Sequence, residues 1–335
     1  MEYVQLGRSG LKVSPICLGT MMFGSAADEA ASRDIIDRAR GFGINFIDTA
    51  DVYNAGRSEE IVGRAIAADR NRWIVATKVG SGEVNESGLL VRSRILRSAQ
   101  ESARRLQTDR IDIYYLHKED HSTPLEETVG AIAELVRSGL IRHFGLSNYR
   151  GWRIAEICRL CGDLGIDRPV VSQPYYNALN RMPEVEQLPA CAYYGLGVFP
   201  YSPIARGILT GKYLAGEKPP ADSRAGRNDK RILQTEWRPE SIEIAQIVKR
   251  HAERRGVTAT QFAVSWVLNN RMITGVVAGP RIESQLDDYI HALEYRFTKE
   301  DEDLVETLVT AGHPSTPRYN DPAYPIEGRV TRFKD

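Results

Sequence analysis

The sequence predicts one α/β domain folded as a (β/α)8 TIM barrel, with an N-terminal β-hairpin before it and an irregular C-terminal tail after it. Three observations point there. Eight short apolar runs of strand length recur along the chain. Almost every one is followed by an amphipathic stretch of helical period. Repeated β-α units make a parallel sheet, and eight of them favour closure into a barrel. The runner-up is an open doubly wound sheet. It normally needs a G-x-G-x-x-G turn to hold a dinucleotide, and the chain has none.

The elements follow in order. "YVQLGRSGLKVSPICLGT" reads as two short strands around Gly7-Arg8-Ser9-Gly10, a hairpin within residues 1–15, and then the first barrel strand at Ile16–Gly19. The other seven strands are read at Ile44–Ile47, Trp73–Thr77, Ile111–Leu116, Ile141–Leu146, Val170–Gln173, Gly197–Tyr201 and Ile273–Ala278. Helical stretches include Ala31–Arg40, Ser58–Ala68, Leu90–Leu106, Leu125–Ser138, Trp152–Leu164 and Ser241–Arg254. Gly41, Gly139 and Gly256 each follow a helical run and read as stop signals. Residues 202–240 form a long segment rich in Gly, Pro, Arg and Lys, and a loop of that length in a compact domain is usually functional. Within it "GILTGKY" resembles a phosphate loop, but its spacing is wrong and no Ser or Thr follows Lys212. Residues 312–335 carry four prolines and read as a tail folding back over the barrel.

Composition narrows the function. The chain has 335 residues, 42% of them hydrophobic, which is ordinary for a single barrel. Lys plus Arg and Asp plus Glu number 44 each, so no basic excess suggests nucleic acid or a membrane surface. No apolar run reaches the roughly 18 residues of a membrane span, and the first residues lack the order of a signal peptide. A cytoplasmic protein is expected. Cys158 and Cys161 form a C-x-x-C, but no second pair or nearby histidines complete a zinc site. They fall late in a helical pattern, where buried reduced thiols are expected and no metal.

In such a barrel, chemistry belongs to the C-terminal ends of the strands. The second strand ends at Asp48, with Tyr53 in the loop beyond; the third ends at Lys78 and the fourth at His117. The fifth runs into Ser147-Asn148, the sixth into Gln173, and the seventh into Tyr201-Ser202. Taken singly, Asp48 reads as a cap, Lys78 as a snorkelling strand end, His117 as a core histidine and Tyr53 as a loop aromatic. Together on one rim they form an acid. A phenol donates poorly at neutral pH, and a neighbouring ammonium lowers its pKa. A carboxylate keeps that ammonium charged and placed, and an imidazole orients a carbonyl oxygen. That combination protonates an oxyanion as it forms, hence carbonyl reduction.

These residues sit in a series of motifs: "GLKVSPICLGTMMFG", "FIDTADVYNAGRSEEIVGRAI", "ATK", "IDIYYLH", "GLSN", "QPYYN", "YSPIARGILTGKY" and "GPRIESQL". In this order and spacing, over nearly the whole chain, they resemble the aldo-keto reductase family, whose members include bacterial NADPH-dependent reductases and potassium-channel beta subunits. The resemblance implies that Asp48, Tyr53, Lys78 and His117 are its catalytic Asp, Tyr, Lys and His. It implies NADPH, with NADH second, held without a Rossmann fold. Gly19, Thr20 and Gly279 would belong to that site. Ser147, Asn148 and Gln173 would hold the carboxamide, and Tyr201 would stack on the nicotinamide. Ser202, Ile204, Arg206 and Gly207 would line the pyrophosphate, and residues 202–240 would cover the cofactor. Arg281 stands where a loop enters a helix, a place that favours an anion, and reads as the partner of the 2′-phosphate, with Gln285 adding a hydrogen bond. Met21, Met22 and Phe23 read either as apolar walls of the substrate pocket or as core. Asp51 reads as a structural loop carboxylate. Two features depart from the family pattern: Lys118-Glu119-Asp120 after His117, and Tyr289 where many relatives carry Asn.

The leading reading is a cytoplasmic NADPH-dependent reductase of an aldehyde or ketone. One alternative is a regulatory partner of the channel beta-subunit type; the chain enters its first hairpin at once, which speaks against it. The other is a sugar or alcohol dehydrogenase running the reverse reaction.

Overall fold

A computed structural model describes residues 1–82 and 88–326. Residues 327–335 of the expected tail lie outside the described residues. Among the described residues there are ten strands. β1 (Val4–Gln5) and β2 (Lys12–Val13) pair as an antiparallel hairpin. The other eight form one parallel sheet: β3 (Ile16–Gly19), β4 (Phe46–Asp48), β5 (Ile74–Val79), β6 (Ile111–Leu116), β7 (Ile141–Ser147), β8 (Val171–Gln173), β9 (Gly197–Val198) and β10 (Val276–Ala278). β10 pairs with β3, Val276 opposite Ile16. The seam between β9 and β10 is closed by backbone bonds, Gly275 N–H to Val198 O at 3.2 Å and Val277 N–H to Pro200 O at 2.9 Å, and by a bridge from Tyr201 to Val277. The barrel is closed.

The pleat of period two sorts the side chains. On β5, Val75 and Val79 join the layer between barrel and helices, whereas Ala76 belongs to the barrel interior. On β6, Tyr114 and Leu116 face the helices, whereas Ile113 and Tyr115 face inward. Leu6, Leu11 and Val13 of the hairpin complete this inner cluster, so the hairpin plugs the barrel at the end away from the C-terminal strand ends. Chemistry is thereby left one open end.

Helices α1 (Glu29–Phe42), α2 (Arg57–Ile66), α3 (Arg92–Arg105), α4 (Leu125–Arg137), α5 (Gly151–Leu164) and α6 (Gln187–Tyr194) follow β3 to β8 in turn. After β9 come α7 (Lys230–Gln234), α8 (Pro239–Arg254) and α9 (Ala259–Asn269); after β10 come α10 (Glu283–His291) and α11 (Lys299–Leu308). α1 begins where Asp28 accepts the Ala31 N–H at 2.9 Å. Its stop is Gly43, at φ 83°, and not Gly41, which lies inside the helix. Gly139 and Gly256 do take the left-handed stop conformation, at φ 78° and 76°. α9 escapes a periodicity reading because it is apolar nearly all round, with eight of its residues buried. β4 is Phe46–Asp48 and not Ile44–Ile47, so the strand itself carries Asp48. β9 ends at Val198, because Pro200 follows Phe199 and cannot donate to the ladder.

Closure leaves no room at Gly275. A Cβ there would meet Pro15 O at 2.3 Å and Phe199 Cε1 at 2.4 Å. Gly275→Ala is therefore expected to destabilise the fold by about 1–3 kcal/mol, the usual cost of overpacking. The measurement is the chemical-denaturation midpoint; an unchanged midpoint would contradict this account of the seam.

Candidate functional site

At the C-terminal ends of the strands lies one cavity of about 890 Å³. Lys78, on β5, lies beneath it with no exposed surface. Its ammonium donates to the carboxylate of Asp48 on β4, to Thr49 O at 2.7 Å and to the Tyr53 hydroxyl at 3.2 Å. The second carboxylate oxygen of Asp48 accepts from Gln173 Nε2 at 3.1 Å. Burial works against the ammonium, but Asp48 and Tyr53 outweigh it and hold its pKa above the ordinary lysine value.

Tyr53 follows in a short loop. Asn54, Ala55 and Gly56 all hold positive φ, at 49°, 56° and 86°. Asn54 pins this turn by donating to Met21 O at 3.1 Å and Phe23 O at 2.6 Å. The Tyr53 ring lies 4.8 Å from Lys78 Nζ and edge-on to His117, with centroids 5.9 Å apart. Here the sequence expectation needs correction. Burial raises the Tyr53 phenol above its ordinary pKa; Lys78 pulls it down but does not prevail, and Asp48 and Asp51 add to the rise. His117 is held neutral, its pKa lowered by burial, Lys78 and Lys118, and its Nδ1 is sealed without a partner.

The next strand ends form a polar wall. Ser147 Oγ donates to Gln173 O at 2.9 Å. Asn148, at φ 61°, donates to Ser147 Oγ at 2.9 Å and His117 O at 3.1 Å, and accepts from the Tyr201 hydroxyl at 2.9 Å. Tyr201 stacks on Tyr175 at 5.5 Å. Arg206 lines the cavity, yet its Nη1 is spent on the fully buried Glu236 at 2.5 Å. Glu236 also accepts from the Tyr175 and Thr235 hydroxyls. The turn around Arg206 is tight: Ser202, Ala205 and Arg206 hold φ of 56°, 48° and 50°. Left-handed non-glycine residues cluster where a structure over-determines its backbone, often at sites.

The cavity wall includes Gly19, Thr20, Met21, Met22, Ser202, Ile204, Gly207, Gly279, Arg281 and Gln285. Phe23 is different. It is fully buried in the core between barrel and helices and is absent from that wall. Met21, by contrast, is 41% exposed. Wall residues given no role from the sequence include Lys212, Arg224, Arg227 and Tyr324. Lys212 is the lysine of "GILTGKY". The charges of Arg281, Asp222, Arg227 and Arg224 all act on it. The second cation that "GPRIESQL" lacks is thus supplied by the long loop. Arg281 lies 3.5 Å from Asp222, and Gln285 accepts the Arg281 backbone N–H at 2.8 Å. Tyr324 arrives with the tail, which Arg231 holds through Asp321 at 2.6 Å and Arg150 through Pro325 O at 2.7 Å. The four cysteines are buried free thiols, and among the described residues no cluster suits a metal ion.

One end of the cavity thus offers amides, hydroxyls and a neutral imidazole, and another offers cations. A Cβ on Gly279 would meet nothing nearer than Gly19 O at 4.0 Å, so the wall stays open there. This donor set fits an elongated ligand with an uncharged polar head and an anionic remainder, as a nicotinamide dinucleotide is.

Comparison with known proteins agrees. Residues 15–309 match the model of the aldo/keto reductase family. The chain is 35% identical over 329 residues to a probable voltage-gated potassium channel subunit beta of Oryza sativa subsp. japonica, covering 95% of this chain and 100% of that one. It is 37% identical over 317 residues to an uncharacterized oxidoreductase, YrpG, of Bacillus subtilis, covering 90% and 93%. It is 31% identical over 335 residues to a versiconal hemiacetal acetate reductase of Aspergillus parasiticus, covering 91% and 96%.

The buried pair gives a stability prediction. Asp48→Ala strands the Lys78 ammonium and should cost about 3–5 kcal/mol. Adding Lys78→Met should recover a large part of that loss. A double variant no more stable than Asp48→Ala in urea titration would show that the pair is not coupled as described.

Proposed function

The chain belongs to the aldo/keto reductase family, and from that premise we propose that it reduces a small aldehyde or ketone to the alcohol with NADPH. The observation that carries this reading is the Tyr53 hydroxyl, 3.2 Å from a fully buried Lys78 ammonium and facing a cavity that runs on to a cluster of cations. A bound reduced nicotinamide would supply the hydride. Tyr53 gives its proton to the carbonyl oxygen as negative charge gathers there. Lys78 sits where the resulting phenolate needs a positive charge, so its interaction strengthens as the proton leaves. Asp48 keeps Lys78 charged, and Gln173 fixes Asp48. Neutral His117 donates a hydrogen bond to the same carbonyl oxygen without competing for the proton. Ser147, Asn148 and Tyr201 would meet the carboxamide end, and Met21 and Met22 would give the substrate apolar surface.

The channel-subunit relatives favour a second reading, a nicotinamide-binding regulatory partner. The rice protein is matched over its whole length, so that likeness covers more than a shared core. Turnover separates the two: loss of reduced cofactor with a panel of aldehydes and ketones is expected, and its absence across the panel would favour the regulatory role.

Tyr53→Phe keeps the ring and removes only the proton donor. Reduction should fall by a factor of at least about 100, the scale of general acid catalysis, with NADPH affinity nearly intact in a fluorescence titration. Wild-type turnover in this variant would refute the assignment of the acid.

Cofactor choice should be readable at the basic end. Arg281, with Lys212 beside it, is expected to make NADPH bind more tightly than NADH by about 1–2 kcal/mol, the scale of a charge-assisted hydrogen bond. Arg281→Ala should remove most of that gap and leave NADH affinity almost unchanged. Equal wild-type affinities, or a variant that weakens the two cofactors alike, would contradict it.

A further inference from the structure

Behind the polar wall of the cavity stands a side chain that the proposed reaction leaves without a role. Tyr175 follows β8 and lies outside the cavity wall. Its ring stacks on Tyr201, with centroids 5.5 Å apart and planes 29° from parallel. The two residues also bridge through their backbones, and the Tyr201 N–H donates to Pro174 O at 3.0 Å. The Tyr175 hydroxyl donates to Glu236, which is fully buried near the end of the long segment and also accepts from Arg206 Nη1 at 2.5 Å. The Arg206 guanidinium in turn lies 5.1 Å from the Tyr175 ring centre. Asn180 Nδ2 donates to the Tyr175 carbonyl at 2.8 Å. Tyr175 is thus held at ring, hydroxyl and backbone by groups from separate stretches of the chain. A buried ion pair such as Arg206 with Glu236 is weak support for stability, because both charges must leave water. What it provides here is a fixed acceptor for one hydroxyl, and so a fixed plane for one ring.

We propose that Tyr175 is a positioning residue for Tyr201, with Glu236 as its anchor. This rests on the reading that Tyr201 meets the nicotinamide. Tyr201 lines the cavity, and its hydroxyl donates to Asn148 Oδ1 at 2.9 Å. A single bond at the hydroxyl fixes one end of the ring and not its plane. The plane is set by Tyr175, since two aromatic rings in contact favour the offset stack seen here. With one face on Tyr175, the Tyr201 ring has its other face for the cavity. That face would set the tilt of a nicotinamide ring laid on it. The tilt decides how directly a hydride can reach a carbonyl carbon held at Tyr53. Tyr175 touches neither ligand; it acts on the surface against which one of them rests.

The test uses the full chain and compares whole cofactors with half of one. NADPH needs both ends of the cavity. Adenosine 2′,5′-bisphosphate carries the adenosine and the 2′-phosphate without the nicotinamide, so it reports the basic end alone. Tyr175→Leu removes the stack. It should weaken NADPH at least about fivefold in a fluorescence titration, the scale of one aromatic contact, and weaken NADH by the same factor. The bisphosphate, titrated by calorimetry, should bind as it does to wild type. With saturating NADPH and one reducible aldehyde, kcat should fall at least about tenfold, as a small misplacement of reacting groups causes. Tyr175→Phe keeps the stack and loses only the bond to Glu236, so its NADPH affinity and kcat should lie between those of wild type and Tyr175→Leu. A merely structural role gives a different pattern, with the bisphosphate weakened along with NADPH. That pattern, an unchanged NADPH affinity in Tyr175→Leu, or a Tyr175→Phe equal to wild type would each overturn the proposal. Should Tyr175→Leu fail to fold, Tyr175→Phe decides, since it alters one hydroxyl. A wild-type chain that binds neither NADPH nor NADH would instead remove the reading beneath the proposal.

Discussion

A lysine ammonium with no exposed surface is the fact around which the open end of this barrel is organised. Taking such a charge out of water is costly, and the cost is tolerated only with a close counter-charge and filled hydrogen-bond positions. Here the three donors of Lys78 find Asp48, Thr49 O and Tyr53. Those partners come from β4 and from the loop beyond it, so β4 and β5 must stand in register, Asp48 opposite Ala76. Gln173 on the far side of the barrel completes Asp48 at 3.1 Å. One buried charge thus ties strand order, pleat and loop path together. The same requirement makes the site stiff, because no member can turn away without leaving another unpaired.

The barrel was legible because its signals are local and repeated. Each strand is a short apolar run, and each of its first helices carries a polar stripe. What escaped was set by tertiary context. α9 is buried on nearly every side and so shows little helical periodicity, although its Thr258–Gln261 capping box marks its start. Gly41 looked like a stop, but the left-handed residue is Gly43, two positions on, where the chain must turn toward β4. Such choices depend on where the helix meets the barrel, which no single segment records.

The site was legible to a similar degree and for a similar reason. Asp48, Lys78 and His117 stand at strand ends, and strand ends can be counted. Phe23 shows the limit. It adjoins Met21 and Met22 in sequence, but the loop after β3 turns it into the core while Met21 stays exposed. Lys212 shows the opposite limit, since a failed phosphate-loop pattern still delivers its lysine to the cavity. Arg206 was read as a group for a phosphate chain; it does line the cavity, and nothing in the sequence signalled its neighbours there, Glu236 and the Tyr175 ring 5.1 Å from its guanidinium. The balance of effects on Tyr53 was beyond the sequence altogether. Whether burial or a neighbouring ammonium wins depends on how completely the ring is enclosed.

The pairing of β10 with β3 has a consequence for how the molecule comes into being. Ile16 finds its partner in Val276, so one strand waits for another made about 260 residues later. At 5–20 residues per second the wait lasts on the order of tens of seconds. During that time β3 has one free edge, with unpaired N–H and C=O groups flanked by buried-type side chains, the kind of edge that recruits other chains. The hairpin can shield the bottom of a nascent sheet but not its side. Every newly made copy therefore passes through an open half-barrel on the ribosome, and high expression should be limited by that interval and not by the stability of the finished barrel.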